Sequence, residues 1–207
     1  MQKALRRVFD NRVEAVDEGR WLADYFERYR TALFGSDIRH SLIELKCILD
    51  KCRAAGKKTI IAGNGGSAAI ASHCAVDLTK NAGIRCITFN EADLITCLAN
   101  DFGYESWLAK ALDFYADKDD VVILISSSGE SANLIKAAEY AHSRPLVVVT
   151  FTGFAPNNRL RKLGDLNVWV NSRAYNVVEM MHQIWLLAVC DLIIGTAEYP
   201  AARPSQE

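Results

Sequence analysis

The sequence predicts a doubly wound α/β protein, a five-stranded parallel sheet with helices on both faces. Five short runs are continuously apolar rather than alternating, as strands covered on both faces are. Segments of helical period separate these runs one by one, the pattern of parallel strands joined by crossover helices. A glycine-rich turn follows the first run directly, where a strand passes into a helix.

The elements follow in order. A long helical pattern from about residue 2 to 30 sets Leu5, Val8, Phe9, Val13, Val16, Leu22, Tyr25, Phe26 and Tyr29 at helical spacings, and a second runs from about 37 to 55. The leading helices carry more apolar face than one small sheet can cover, so they predict packing between subunits. The strands are read as TIIAG at 59–63, RCITF at 85–89, DVVILIS at 120–126, PLVVVTF at 145–151 and LNVWV at 166–170. Helical patterns occupy 67–80, 91–99, 104–116, 130–142 and 156–163, and a long helix at about 174–194 closes the fold. The 207-residue chain then reads as one domain over 1–196, with oligomerisation helices at about 2–55. The tail AEYPAARPSQE at 197–207 has two prolines and little to pack, and is expected to be disordered.

Composition excludes several classes. Lys plus Arg number 24 against 25 Asp plus Glu, a net charge of −1, which gives no support for nucleic acid or a membrane surface as partner. The six cysteines are scattered without a C-x-x-C pair, so neither a disulfide framework nor a zinc knuckle is expected, only reduced, mostly buried thiols. The first residues, MQKALRRVFDNRVEAV, hold no apolar leader. The run IWLLAVC stops at Asp191 and reads as too short for a bilayer. These features predict a cytoplasmic protein.

The turn Gly63-Asn64-Gly65-Gly66-Ser67 sits where the first strand ends and a helix begins. Glycines there permit positive φ and close approach of a ligand to the backbone, while the free N–H groups of the helix start favour an anion. The third strand ends the same way, in SSSGESANLIKA, with Ser126, Ser127, Ser128 and Ser131 before a helix. In a doubly wound sheet these two loops open on one crevice. Neither carries Lys or Arg, and no G-K-[ST] is present, which argues against a nucleoside triphosphate and for one phosphate held by neutral donors at Asn64, Gly65, Gly66, Ser67 and the four serines. The competing reading is ordinary serine capping of the second helix. On the helix that follows the glycine turn, at 67–80, His73 and Asp77 lie four residues apart and share a face. Beside a phosphate loop such a pair reads as a candidate site, against the alternative of a histidine satisfied in the interior.

Three motifs in order, GNGGSAAIASH, ANDFGYE and ISSSGESANLIKA, resemble the sugar isomerase (SIS) domain family, and within it the phosphoheptose isomerases. The resemblance implies a SIS, flavodoxin-like fold, aldose–ketose isomerisation of sedoheptulose 7-phosphate or a similar ketose phosphate, and a homotetramer with active sites at subunit interfaces. It implies that Ser67, Ser126, Ser128 and Ser131 hold the phosphate, with Asn64 and Asp101 near the sugar. His73 and Asp77 match a His and a Glu that bind zinc in metal-containing members, the Glu also serving as base. On the last helix the family's Gln, His and second His fall at Glu179, His182 and Leu187. The second His is a zinc ligand and general acid, and leucine can do neither job. One account of that departure is a changed site, with catalysis by Asp77, Glu179 and His182 and zinc held by His73, Asp77 and Glu179. The other is lost chemistry, as in a relative that keeps the fold and binds a replication initiator protein.

Overall fold

The computed structural model describes residues 17–35 and 37–198. Helix α1 spans Glu18–Phe34 and α2 Arg39–Ala54. Five strands alternate with helices thereafter: β1 Thr59–Gly63, α3 Gly66–Lys80, β2 Cys86–Ile87, α4 Ala92–Phe102, α5 Trp107–Tyr115, β3 Val121–Ser126, α6 Ala132–His142, β4 Val147–Thr152, β5 Leu166–Trp169 and α7 Tyr175–Ile194. The sheet order is β2-β1-β3-β4-β5, all parallel, with Ile61 beside Ile123 and Ile123 beside Val149 in register. This is the doubly wound arrangement the alternating runs predict.

Why the strands read as unbroken apolar runs is visible in the core. Successive side chains of a strand point to opposite faces, and here both faces are covered. Ile61, Ile123 and Phe151 pack with Leu45 and Leu49 of α2, Ile70 and Cys74 of α3 and Trp185 of α7. Ile60, Val122 and Leu124 pack on the other side with Trp107 and Leu108 of α5 and Leu134 and Ala138 of α6.

Several expectations change. The second strand shrinks from 85–89 to Cys86–Ile87, and Thr79 covers its outer edge: its Oγ1 accepts from Cys86 N–H and donates to the Cys86 carbonyl, each at 3.0 Å. The helix expected over 156–163 is only a 3₁₀ turn, Leu160–Leu163. Asn158 displaces it: its amide donates to the carbonyls of Gly153 and Ala155, and its Oδ1 accepts from Arg161 N–H at 2.9 Å. An Asn side chain bonding nearby backbone in this way competes with a helical ladder. The first helix begins at Glu18 among the described residues, so Leu5, Val8, Phe9, Val13 and Val16 lie outside them, as do residues 199–207 of the tail. All six cysteines are free, but Cys47 and Cys97 are exposed.

The apolar segment at the end also exceeds its expectation, because Tyr175–Ile194 is long and apolar enough to cross a membrane by length and composition. Its hydropathy serves the core: Val178, Met181, Trp185, Leu186 and Val189 are buried against the sheet layer. By contrast, α1 buries none of its residues, and Trp21, Leu22 and Phe26 stand 54%, 47% and 63% exposed.

Candidate functional site

Strand order reverses between β1 and β3, the adjacent central strands, so the loops after them open side by side at one end of the sheet. A cavity of about 310 Å³ lies there, lined by Asn64, Gly65, Gly66, Ser67, Ile125, Ser126, Ser127, Ser128, Ser131, Tyr175 and Glu179. No cation is in that lining. The N-terminal ends of α3 and α6 both face this space, and they supply the positive ends of two helix dipoles.

Backbone shape explains the first loop. Gly65 has φ +54°, a conformation side-chain-bearing residues rarely adopt. Gly66 opens α3 with ordinary φ, but a Cβ there would lie 2.5 Å from Glu179 Oε2, so its missing side chain makes room for that carboxylate. Among the described residues the Glu179 carboxylate has no hydrogen-bond or ion-pair partner, which leaves it free to accept from a ligand. Tyr175 lies one helical turn before Glu179 and joins it on the cavity wall.

The second loop is not a set of caps. Ser131 occupies the N-cap position of α6, yet its side chain makes no capping bond, and its Oγ meets Ser126 Oγ at 3.2 Å. Ser126 Oγ accepts from Gly129 N–H at 3.1 Å and Ser128 Oγ from Glu130 N–H at 3.2 Å. Ser127 Oγ is buried without a partner. A buried hydroxyl in that state is costly unless something bonds it. The two loops are tied by a reciprocal amide pair: Asn64 Nδ2 donates to Asn133 Oδ1 and Asn133 Nδ2 to Asn64 Oδ1, each at 2.9 Å. Tyr104 OH donates to the same Asn64 Oδ1 at 3.4 Å. Sequence reasoning missed Asn133, Tyr175 and Tyr104. The one available signal for Asn133 was a polar residue directly before the buried pair Leu134 and Ile135.

Down the same face of α3 stand His73 and Asp77. His73 Nε2 lies 3.1 Å from Asp77 Oδ2, and Asn81 Nδ2 donates to Asp77 Oδ1 at 3.1 Å. His73 Nδ1 lies 3.2 Å from Gln183 Nε2 on α7, which runs beside α3. Nearby, burial pushes the Cys74 and Cys190 thiols up to about 12, which keeps them unreactive.

Comparison with known proteins places this arrangement. The family model described as SIS domain matches residues 36–153. The phosphoheptose isomerase of Colwellia psychrerythraea is 32% identical over 177 residues, covering 81% of this chain and 87% of that one. That of Helicobacter pylori is 33% identical over 142 residues, covering 66% and 73%. The chain belongs to the SIS domain family. Among solved structures, the phosphoheptose isomerase from Neisseria gonorrhoeae superposes with a TM-score of 0.79 at 25% identity, covering 86% of this chain and 99% of that one. The Francisella tularensis structure of the same name gives 0.79 at 24% identity, covering 86% and 98%, and shows the fold.

Within this SIS domain, the residues expected at the site divide. Asn64, Gly65, Gly66, Ser67, Ser126, Ser127, Ser128, Ser131 and Glu179 all line the cavity. Asp101 does not: it is exposed on the last turn of α4, where Asn100 Nδ2 donates to it at 2.9 Å, and Tyr104 from the same motif reaches the loop instead. His182 is corrected from a catalytic residue to a core residue. It is wholly buried beneath β4, its Nε2 donates to the Thr152 carbonyl at 3.1 Å, and its ring meets Phe151 edge-on at 5.6 Å. Loss of hydration pushes its pKa down to about 4, so the ring is neutral, and substrate cannot reach it.

The expected zinc ligands do not form one donor set among the described residues of a single protomer. His73, Asp77 and Glu179 are not brought together: Glu179 lies over Gly66, about 16 Å up the helix from Asp77 by rise per residue. Both His73 ring nitrogens are engaged, and Leu187 packs against the core where a further ligand would stand. Among the described residues no three His, Cys, Asp or Glu side chains are grouped to hold a metal.

Proposed function

We propose that this protein is a phosphosugar isomerase of the phosphoheptose isomerase type, acting on sedoheptulose 7-phosphate or a similar ketose phosphate in the cytoplasm. One observation carries the reading: a cation-free cradle of Ser67, Ser126, Ser127, Ser128 and Ser131 at two helix N-termini, whose hydroxyls are not consumed by capping. The phosphate sits against the serine loop, where neutral donors and helix dipoles favour an anion. The Glu179 carboxylate would repel it, so Glu179 marks the sugar end and accepts from sugar hydroxyls.

Asp77 is the base for transfer of the proton between adjacent carbons. Its carboxylate is oriented by His73 on one oxygen and Asn81 on the other. No step is assigned to zinc. The exposed Trp21, Leu22 and Phe26 of α1 support assembly into a homotetramer that completes the site from a neighbouring subunit.

The test is direct. Purified protein incubated with sedoheptulose 7-phosphate in heavy water is followed by proton NMR, with and without added zinc, and its mass is measured by light scattering. Interconversion with exchange at the reacting carbon supports the proposal. A protein inert on every ketose phosphate under both conditions would leave only a phosphosugar-binding role.

A further inference from the structure

We propose that Tyr175 is a specificity-determining residue, its ring a platform for the sugar chain of the bound phosphate ester, and that Phe154 is the residue that positions it. The inference rests on the proposed phosphosugar reading of the cavity. Tyr175 opens α7 and lines the cavity with Glu179, one helical turn further on. It is 60% exposed, and among the described residues its hydroxyl has no partner. Phe154 meets its ring edge to face, with centroids 4.8 Å apart and planes at 69°. Phe154 also packs against the core, which gives Tyr175 a fixed support.

The backbone of Phe154 is an outlier. Its φ is +53°, and the other positive φ values among the described residues belong to glycines and to Asp119. A bulky side chain in that region is strained and persists only where its surroundings enforce it. Here they do so from two directions. Phe154 N–H donates to the Ser172 carbonyl at 2.9 Å, and Gly153 N–H donates to the Ser127 carbonyl, in the serine loop itself, at 3.0 Å. Gly153 lies so close to α7 that a Cβ there would stand 2.7 Å from Val178. The chain leaving β4 is thus pinned between the serine loop and the segment that leads into α7. A glycine at 154 would meet the backbone demand without strain, so the phenyl ring is what this residue adds. An aromatic face suits a sugar chain, whose C–H bonds present slight positive charge to the ring's negative face. A ring already held by Phe154 loses little rotamer freedom when the ligand arrives. Serine hydroxyls and helix ends recognise the phosphate alone, and Tyr175 adds a preference for its sugar ester.

Calorimetry with sedoheptulose 7-phosphate and with inorganic phosphate tests the inference. Tyr175→Ala should weaken binding of the sugar phosphate about ten-fold and leave inorganic phosphate unchanged. Tyr175→Phe keeps the ring and should stay within about two-fold of wild type for both ligands. Phe154→Ala and Phe154→Gly should each weaken the sugar phosphate about five-fold, although the glycine variant, free of the backbone strain, unfolds at the higher temperature. Tyr175→Ala combined with Phe154→Ala should bind no worse than Tyr175→Ala alone, since Phe154 acts through that ring. In wild type with labelled tyrosine, the Tyr175 ring resonances should move further with the sugar phosphate than with inorganic phosphate. Equal losses for the two ligands would make Tyr175 a phosphate contact, and additive losses in the double variant would make Phe154 a structural residue only. Either result overturns the inference. A wild type that binds the sugar phosphate without isomerising it defeats the proposed function alone, and one that binds both ligands equally well defeats this inference alone.

Discussion

His182 makes the stability of this protein depend on pH in a calculable way. Its ring is wholly buried, and loss of hydration lowers its pKa from 6.5 to about 4, outweighing the hydrogen bond to the Thr152 carbonyl. The unfolded chain therefore binds a proton that the folded one refuses. Above pH 6.5 neither state is protonated and the group contributes no slope. As pH falls below 6.5 the unfolded state gains protons and is favoured, and the loss levels off below the folded pKa of about 4. Linkage gives a loss of about 2 kcal/mol between pH 7 and pH 5, and about 3 kcal/mol at the acid limit. Other groups titrate in this range, so the measurement is a difference between variants: urea unfolding at both pH values for wild type and His182→Leu. The leucine variant lacks the proton and should lose about 2 kcal/mol less over the interval. Equal pH dependence in the two proteins, or an NMR titration of His182 in the folded state near pH 6.5, would refute the reasoning.

The cradle offers two further tests. Ser128→Ala removes a hydroxyl from a charged phosphate and should weaken sugar-phosphate affinity about ten-fold by calorimetry, at unchanged thermal stability. Gly66→Ala improves helix propensity but drives a methyl to within 2.5 Å of Glu179 Oε2, displacing the carboxylate. Its effect on sugar-phosphate affinity should match that of Glu179→Ala, and the double variant should be no worse than either. Full additivity would mean that the methyl acts on the ligand directly.

Much of this was legible in the sequence, and the exceptions have physical causes. The strands were plain because covering both faces demands unbroken apolar runs, as in Val121–Ser126. The two loops that line the cavity were plain because glycine and serine cluster where β1 and β3 pass into helices. His182 was misjudged because a histidine on an apolar helix looks the same from sequence whether it faces a cavity or a backbone carbonyl. The placement of Glu179 over Gly66 rather than beside Asp77 depends on how α7 registers against α3, and no local pattern encodes that. Asn133 and Gln183 escaped for the same reason, since each acts on a residue far off in the chain, 69 positions to Asn64 and 110 to His73.

On the proposed reading, helix α3 sets a length requirement on the substrate. Gly66, His73 and Asp77 fall at intervals of seven and four residues, so they share one stripe, with the cradle at its N-terminal end. At the helical rise His73 lies about 10 Å and Asp77 about 16 Å from Gly66 along the axis, and helix side chains lean toward the N-terminus, which shortens both reaches. From phosphorus to the ketose carbon of a seven-carbon 7-phosphate there are about seven single bonds, roughly 10 Å at full extension by ordinary bond lengths. A three-carbon phosphate has about three such bonds and spans roughly 5 Å. With its phosphate in the serine loop, the short substrate would leave its reacting carbon well above His73, while the long one would reach the level of His73, toward which the Asp77 side chain leans. Dihydroxyacetone phosphate should therefore compete for binding, since it offers the same phosphate, but should show no proton exchange with heavy water. Sedoheptulose 7-phosphate should show both. Proton NMR of each compound with the protein reads the exchange, and competition calorimetry reads the binding. Exchange of the three-carbon compound at a rate comparable with the seven-carbon one would mean that the base stands beside the cradle, which would return Glu179 to that role in place of Asp77.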